Sequence, residues 1–268
     1  MGSLAGDTRL HERADGRVYA RKGWQAFAAV LLLCTALLWC YLNINWAFVN
    51  SLDFSVIYKY RAALLDGLFA TIYITFFSLA LGLVLGVALA CLMYVPFPPL
   101  RWMIRAYLEL VRDTPLLVML FWIHFALPSV TGITTTAFQS GFIAMAFQSS
   151  AYLADVARAG IQAVPRGQWD AAAALGLAGY STWFEIVLPQ AFKIMVPPLA
   201  NVALGYFKAS SVLALLSVGD LMSVAVRISN YTFKPIEVLT FVGGVYLGLS
   251  YILSWLTYRL EALMKTPV

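Results

Sequence analysis

The sequence contains repeated apolar runs about as long as a bilayer is thick, and these limit its fold more than any other feature. A membrane-spanning helix needs roughly 20 mostly apolar residues, and the chain has room for about six. The candidate spans are 24–46, 64–93, 107–127, 137–158, 186–206 and 236–258. Of the 268 residues, 62% are hydrophobic and 12% charged, about half the charged fraction of a soluble domain. We therefore predict an all-α polytopic membrane protein with about six transmembrane helices.

The lysines and arginines predict the side of the membrane on which each connection lies, because cytoplasmic loops carry more of them. With the N-terminus in the cytoplasm, the 94–113, 155–185 and 259–268 segments are cytoplasmic too. Together with residues 1–23 they hold twelve of the 18 basic residues. We therefore expect both termini in the cytoplasm. The opposite side receives Lys59, Arg61, Arg227 and Lys234.

The first apolar run is predicted to be retained, although basic residues precede it as they do in a secretory signal peptide. The run is too long for such a signal, and Asn43-Ile44-Asn45-Trp46 offers no small-residue cleavage site. We expect a cytoplasmic N-terminal tail, 1–23, followed by a transmembrane helix, 24–46.

Two further segments do not read as simple spans. Residues 207–225 are apolar but short, with Lys208 and Asp220 near their ends, which favours a re-entrant or interfacial segment between two spans. Residues 155–185 form the longest cytoplasmic loop and are rich in alanine and glycine. Glycines 160, 167, 176 and 179 predict short helices separated by turns.

The centre of the 155–185 loop combines an acidic residue, consecutive alanines and a glycine, with Ile-x-Leu-Pro nine residues later. Alanines favour a helix with a narrow, smooth surface that fits a groove on a partner. Gly176 can adopt the left-handed conformation that ends a helix, and Pro189 is tolerated in the first turn of the next. We predict a helix from Asp170 to Leu175, with Asp170 complementing its dipole. The residues of this arrangement are Asp170, Ala171, Ala172, Gly176, Ile186, Leu188 and Pro189.

This arrangement resembles the cytoplasmic signature of ATP-binding-cassette importer permeases, with Asp170 where glutamate is commoner. The flanking sequences are similar to the polar amino acid subfamily, the histidine, glutamine and glutamate type of permease. They include Arg112-Asp113-Thr114-Pro115-Leu116, Pro165-Arg166-Gly167-Gln168 and Lys208-Ala209-Ser210-Ser211. The resemblance covers roughly residues 64–262 and implies a five-helix permease core with coupling loop 155–185, to which helix 24–46 is an addition.

The resemblance implies a non-catalytic subunit in the bacterial cytoplasmic (inner) membrane. ATP and Mg²⁺ would bind to cytoplasmic ATP-binding subunits, so this chain itself would carry no cofactor. A solute-binding protein outside the cytoplasm would deliver the solute. The second permease of the pair is either another copy or a related chain. Ala209 stands where many relatives carry Asp or Asn, so we expect a neutral or acidic substrate rather than a cationic one.

Polar residues inside or beside the predicted spans are candidates for a substrate path, since polar groups in a bilayer face other helices or a wet cavity. Hydrogen bonds between helices and snorkelling of Lys208 to the interface remain alternatives. The candidates are Gln148, Ser149, Tyr152, Asp155, Asn201, Lys208, Ser210 and Ser211. Gly82-x-x-x-Gly86 and Gly244-x-x-x-Gly248 predict close helix packing.

Enzymatic functions find no support in the sequence, which has no P-loop, Gly-x-Ser-x-Gly or His-Glu-x-x-His motif. Its two histidines and three cysteines do not form a metal-binding pattern, and its basic residues follow topology rather than a nucleic-acid surface. The remaining alternative is a stand-alone secondary transporter or channel. That class predicts inverted repeats, which the sequence lacks, whereas stimulation of a partner ATPase would identify an importer subunit.

Overall fold

Backbone polar groups inside a bilayer must be hydrogen-bonded within the protein, and the part of this chain that is described meets that demand with helices. The computed structural model describes residues 27–264, with side chains through residue 262. The chain divides into two units, 1–52 and 53–268. In the first unit, α1 spans Phe27–Asn43 and α2 spans Trp46–Asn50.

The second unit contains nine consecutive helices among the described residues. They are α3 (Ser55–Lys59), α4 (Arg61–Leu92), α5 (Pro98–Asp113), α6 (Leu116–Thr131), α7 (Ala137–Gln162), α8 (Arg166–Ala174), α9 (Gly179–Leu216), α10 (Leu221–Thr232) and α11 (Pro235–Met264). The prediction of an all-α chain is confirmed.

Three of these helices, α4, α9 and α11, are long and apolar enough to cross a membrane. The number reaches five if each of two bent helix pairs counts as one span. Helix α7, predicted as a span at 137–158, is continuous over 26 residues but is not among the helices that qualify by composition. Six spans therefore stay a prediction, and the predicted tail, 1–23, lies outside the described residues.

The span predicted at 107–127 is wrong in its boundaries. Helix α5 ends at Asp113, and the chain bends by 103° before α6 begins at Leu116. Pro115 causes the bend, because it lacks an N–H and disfavours a helical conformation in the residue before it. Thr114 is accordingly extended, with φ −81° and ψ 124°. The apolar side of α5 packs on α7 instead of extending into the next helix.

Helices α6 and α9 each contain a wider, π-helical turn immediately before a Leu-Pro pair. The two turns are Trp122–Ala126 and Thr182–Val187. A proline ring inside a helix meets the carbonyl of the preceding turn, and an extra residue in that turn lets the helix continue. Pro189 thus lies in the first turn of the regular stretch Leu188–Ala209, as expected. The helical path itself starts earlier than predicted, at Gly179.

The segment predicted to be re-entrant or interfacial, 207–225, contains the turn between α9 and α10. Helix α9 ends in a 3₁₀ stretch, Ser210–Leu216, and Ser217 and Gly219 then have positive φ values of 53° and 94°. Asp220 caps α10 by accepting a hydrogen bond from the N–H of Met222. The sequence predicts a re-entrant or interfacial segment between two spans here, and the position of this segment in the membrane stays a prediction.

Helices α4 and α7 share the most extensive helix–helix interface among the described elements. A Cβ atom on Gly86 would lie 2.8 Å from both the nitrogen of Ala154 and the carbonyl oxygen of Ser150. Backbone atoms cannot yield as a side-chain end can, so only glycine permits this approach. The predicted packing role of Gly82-x-x-x-Gly86 is confirmed. A Cβ atom on Gly244 or Gly248 would meet no described atom within 4 Å, so that pair does not pack closely here.

We expect Gly86→Ala to lower the free energy of unfolding by about 1–3 kcal/mol, because overpacking forces the two helices apart. Gly248→Ala is the matched control, since alanine there has open space. Because alanine also has the higher helix propensity, the control should unfold at the wild-type temperature or above it. Thermal unfolding of the two variants in one detergent measures the difference. Equal melting temperatures would contradict the packing argument.

Candidate functional site

Helix α8, the short helix of the 155–185 loop, ends at a left-handed glycine. Gly176 has φ 67°. Its N–H donates to the carbonyl of Ala173 at 3.0 Å, and the N–H of Leu177 donates to that of Ala172 at 3.1 Å. These two bonds form a Schellman motif, which satisfies carbonyls at the helix end. The predicted conformation of Gly176 is confirmed.

Helix α8 begins earlier than predicted, at Arg166 rather than Asp170. Asp170 is therefore in the middle of the helix, and no acidic residue lies in its first turn. A carboxylate stabilises the helix dipole only within about the first turn. The expected dipole contribution of Asp170 is wrong, and the side chain lies exposed to solvent.

Three of the four glycines expected to divide the loop lie within helices instead. Gly160 belongs to α7, Gly167 to α8, and Gly179 is the first residue of α9. Only Gly176 forms a turn, because only that glycine follows the end of a helix with a left-handed backbone. The loop therefore consists of α8 joined to α7 and α9 by a few residues on each side.

One face of α8 is fixed to the start of α9. The ring of Trp169 meets that of Trp183 edge-on, with centroids 5.3 Å apart. The amide of Gln190 donates to that of Gln168 at 3.3 Å, and Ala172 is buried. A small core continues this contact and contains Ile161, Val164, Val187 and Ala191. Of the other predicted coupling residues, Ile186 and Leu188 are half-buried on α9 and Pro189 is exposed.

The opposite face of α8 is formed by small side chains and is open to solvent. Asp170, Ala171, Ala173 and Ala174 are exposed, and Leu175 at the helix end exposes 75% of its surface. Leu175 was missed by sequence reasoning, because it occupies a variable position of the signature and no periodicity marks it. Small residues ending in one protruding leucine suit insertion into an apolar groove.

Three predicted substrate-path residues, Gln148, Tyr152 and Asp155, contact the bend between α5 and α6. Gln148 Nε2 donates to the carbonyl of Thr114 at 2.6 Å, and the Tyr152 hydroxyl donates to that of Arg112 at 3.4 Å. The Arg112 guanidinium donates to the Asp155 carboxylate at 2.7 Å. Their spacing places the three residues on one face of α7, which therefore holds the bend in place.

The same face of α7 reaches α9 through Tyr206. The buried Tyr206 hydroxyl donates to Gln148 Oε1 at 3.2 Å, and its ring lies 6.2 Å from that of Tyr152. Gln148 thus uses its donor on α5–α6 and its acceptor on α9, as a buried amide must. Helices α7 and α9 therefore meet through a polar contact between Gln148 and Tyr206.

The remaining candidates are not brought into this cluster by any hydrogen bond. Ser149, Ser210 and Ser211 donate to carbonyls of their own helices, three residues earlier. Ser149 and Ser210 are also fully buried. Asn201 and Lys208 are exposed on one face of α9, and neither has a hydrogen bond or ion pair to another described side chain.

We expect Gln148→Leu to lower the free energy of unfolding by about 1–3 kcal/mol, because the Tyr206 hydroxyl and the Thr114 carbonyl would lose their buried partner. Asn201→Leu is the matched control, since its amide is exposed and bonded to no other side chain. Both changes are read as shifts in the thermal midpoint of the solubilised protein. A control that loses as much stability as Gln148→Leu would argue against the bridging role.

Comparison with known proteins places this arrangement in a family. Residues 82–266 match the profile described as binding-protein-dependent transport system inner membrane component. A probable glutamine ABC transporter permease protein of Bacillus subtilis (strain 168) is 37% identical over 214 residues, covering 78% of this chain and 99% of that protein. A glutamate/aspartate import permease protein of Escherichia coli O157:H7 is 33% identical over 216 residues, covering 78% and 96%.

Solved structures agree with the sequence comparison. The crystal structure of an amino acid ABC transporter with histidines shares 32% identity and a TM-score of 0.75, covering 79% of this chain and 99% of that chain. The inward-facing MetNI methionine ABC transporter, with 19% identity and a TM-score of 0.68, covers 78% and 99% and shares the fold. The profile match includes all of α7, α8, α9 and α10. The chain therefore belongs to the family of binding-protein-dependent transport system inner membrane components.

Proposed function

We propose that the chain is the permease subunit of an ATP-driven importer for a polar amino acid or a similar small solute. The observation that carries the proposal is α8: a short helix with an exposed face of small residues, ended by a left-handed Gly176 and packed firmly on α9. Such a surface is suited to transmit movement from a bound partner to a long apolar helix. The relatives include glutamine and glutamate/aspartate permeases, which supports the substrate class.

The chain itself is non-catalytic in this proposal. Cytoplasmic subunits bind and hydrolyse ATP with Mg²⁺, a binding protein delivers the solute on the other side, and a second permease completes the pathway. Residues 64–262 form the permease core, with helix 24–46 as an addition and both termini in the cytoplasm. The basic residues support this orientation, since Arg101, Arg105 and Arg166 fall on the side of the 155–185 loop.

Movement of α8 can reach two groups of helices through contacts already described. The Trp169–Trp183 pair joins α8 to α9, which continues as one helical path to the Tyr206 region. Val164 and Ile161 join α8 to the end of α7. The polar face of α7 in turn holds the bend that begins α6. A displacement at the cytoplasmic surface would therefore shift α6 and α9 together.

We expect Gly176→Val to uncouple ATP hydrolysis from transport or to weaken ATPase binding. A β-branched residue with positive φ costs on the order of 1–2 kcal/mol, and relief of that strain displaces the exposed face of α8. The chain should still insert, because a Cβ atom at Gly176 meets nothing within 4 Å. The measurements are ATP-driven uptake in proteoliposomes, ATPase rate and pull-down of the ATPase.

Gly176→Asn is the matched control, since asparagine tolerates the left-handed conformation and should retain most transport. Asp170→Ala should have a milder effect than Gly176→Val, because its exposed carboxylate contributes no structural contact. Wild-type uptake and normal ATPase association by Gly176→Val would remove the main support for the proposal.

We expect neutral or acidic amino acids to compete better for uptake than cationic ones. No carboxylate stands at Ala209, and the neighbouring Lys208 is exposed without an ion pair among the described residues, so the local charge repels a cationic side chain. Competition by unlabelled glutamine, glutamate, arginine and lysine against the transported solute tests this. Arginine or lysine as the best competitor would contradict it.

A further inference from the structure

Helix α10 has two faces of opposite character. Its apolar face, with Leu221, Val224, Ala225 and Ile228, packs into a core with α4 and α11. Its other face carries Arg227, Asn230 and Tyr231, which are exposed. The described residues include no element that covers this second face.

The direction of α10 places the exposed face near the predicted outer side of the membrane. The N–H of Leu221 donates to the Thr71 hydroxyl at 2.9 Å. One turn later, Val224 lies where a Cβ on Gly67 would be 2.9 Å away. Helix α10 therefore runs along α4 toward Arg61, the predicted extracytoplasmic end, and Arg227 lies one turn further out.

A cleft of about 500 Å³ opens between α10 and the 3₁₀ end of α9. Its polar lining comes from Ser217, Ser223, Arg227, Asn230 and Tyr231, and no Asp or Glu is among its lining residues. Another cleft of similar volume, about 480 Å³, is lined only by apolar side chains such as Phe76, Leu83 and Val196. The α10 cleft is thus large enough for an amino acid and has the donors and acceptors to bind one.

Arg227 differs from the other basic residues predicted on the outer side because it lacks a partner. Arg61 lies over the ring of Tyr58 at 4.2 Å, and Lys59 over that of Tyr60 at 5.6 Å. Lys234 forms an ion pair with Asp53. Within residues 27–262, Arg227 makes no ion pair, ring contact or hydrogen bond to another side chain. Its five N–H donors remain available to a ligand.

We infer that the α10 cleft is an entry site that binds the carboxylate of a zwitterionic amino acid, with Arg227 as the carboxylate-binding residue. The inference rests on the proposed function. A planar guanidinium binds a carboxylate through two parallel hydrogen bonds. The oxygens of Ser217, Asn230 and Tyr231 accept from the ammonium group. Since no acidic side chain lines the cleft, the site favours solutes without a positive side chain.

Direct binding to the permease–ATPase complex in nanodiscs tests the inference without any binding protein. Each of the twenty amino acids is offered as radiolabelled probe, and the best binder is compared with its decarboxylated amine. The wild type should bind the acid and not the amine. Arg227→Gln should weaken binding of the amino acid by roughly tenfold or more, as removal of a hydrogen bond to a charged group does. Arg227→Lys should bind with intermediate affinity.

Arg105→Gln is the matched control, because Arg105 is also exposed but lies on α5, and it should bind as the wild type does. Absence of binding by the wild type, or equal binding by Arg227→Gln, would overturn the inference. So would a loss confined to stimulation of the ATPase by the binding protein, which would make Arg227 a protein-docking residue. ATPase assembly and uptake by the wild type are measured in parallel, since failure there refutes the proposed function instead.

Discussion

The backbone contact between α4 and α7 positions most of the structure described above. At Gly86 the two helices approach so closely that a single added carbon would meet main-chain atoms of Ala154 and Ser150. The contact determines how α7 is rotated, and the rotation decides which of its faces meets which neighbour. Gln148, Tyr152 and Asp155 consequently face the α5–α6 bend, while Ser149 faces α4.

Interruptions in the helices are tolerated where side chains replace the lost backbone hydrogen bonds. At the α5–α6 bend, the Thr114 carbonyl has no helical partner and accepts from the Gln148 amide. At the start of α10, Asp220 is fully buried and its carboxylate accepts from Met222 N–H and the Ser223 hydroxyl. Both polar side chains thus have hydrogen-bond partners within the protein.

Local rules were sufficient where the chemistry of one or two residues decides the conformation. The left-handed turn at Gly176 and the close approach at Gly82 and Gly86 follow from the absence of a side chain. The bend at Pro115 was missed because the predicted span, 107–127, was drawn through the polar stretch Arg112-Asp113-Thr114. Periodicity alone does not distinguish one span from two helices at an angle. The early start of α8 was missed because its N-cap residue is Pro165, which makes no side-chain cap hydrogen bond. The sequence therefore lacks the Ser, Thr, Asp or Asn that usually marks the start of a helix.

The candidate site was harder to predict than the fold because a site depends on contacts between distant segments. Which of Gln148, Ser149 and Ser150 points toward α9 depends on the rotation of α7, and neighbouring residues differ by about 100° around a helix. The sequence does not distinguish Arg227 from the other basic residues predicted on the outer side. Its distinctive property is the absence of the partners that its neighbours have, and only the folded arrangement reveals that.

The π-helical turn in α9 has a consequence for how the two ends of this helix are related. A π-helical turn contains about one residue more than an α-helical turn. The side chains that follow Thr182–Val187 are therefore rotated by about 100°, and shifted by about 1.5 Å, relative to an uninterrupted α-helix. Trp183, which contacts α8, and Tyr206, which contacts α7, thus owe their relative orientation to that extra residue. Deletion of a single residue in the turn would change the angle between the two contacts by about 100° but their separation along the helix by only about 1.5 Å. One contact would then point away from its partner although the distance along α9 is almost the same.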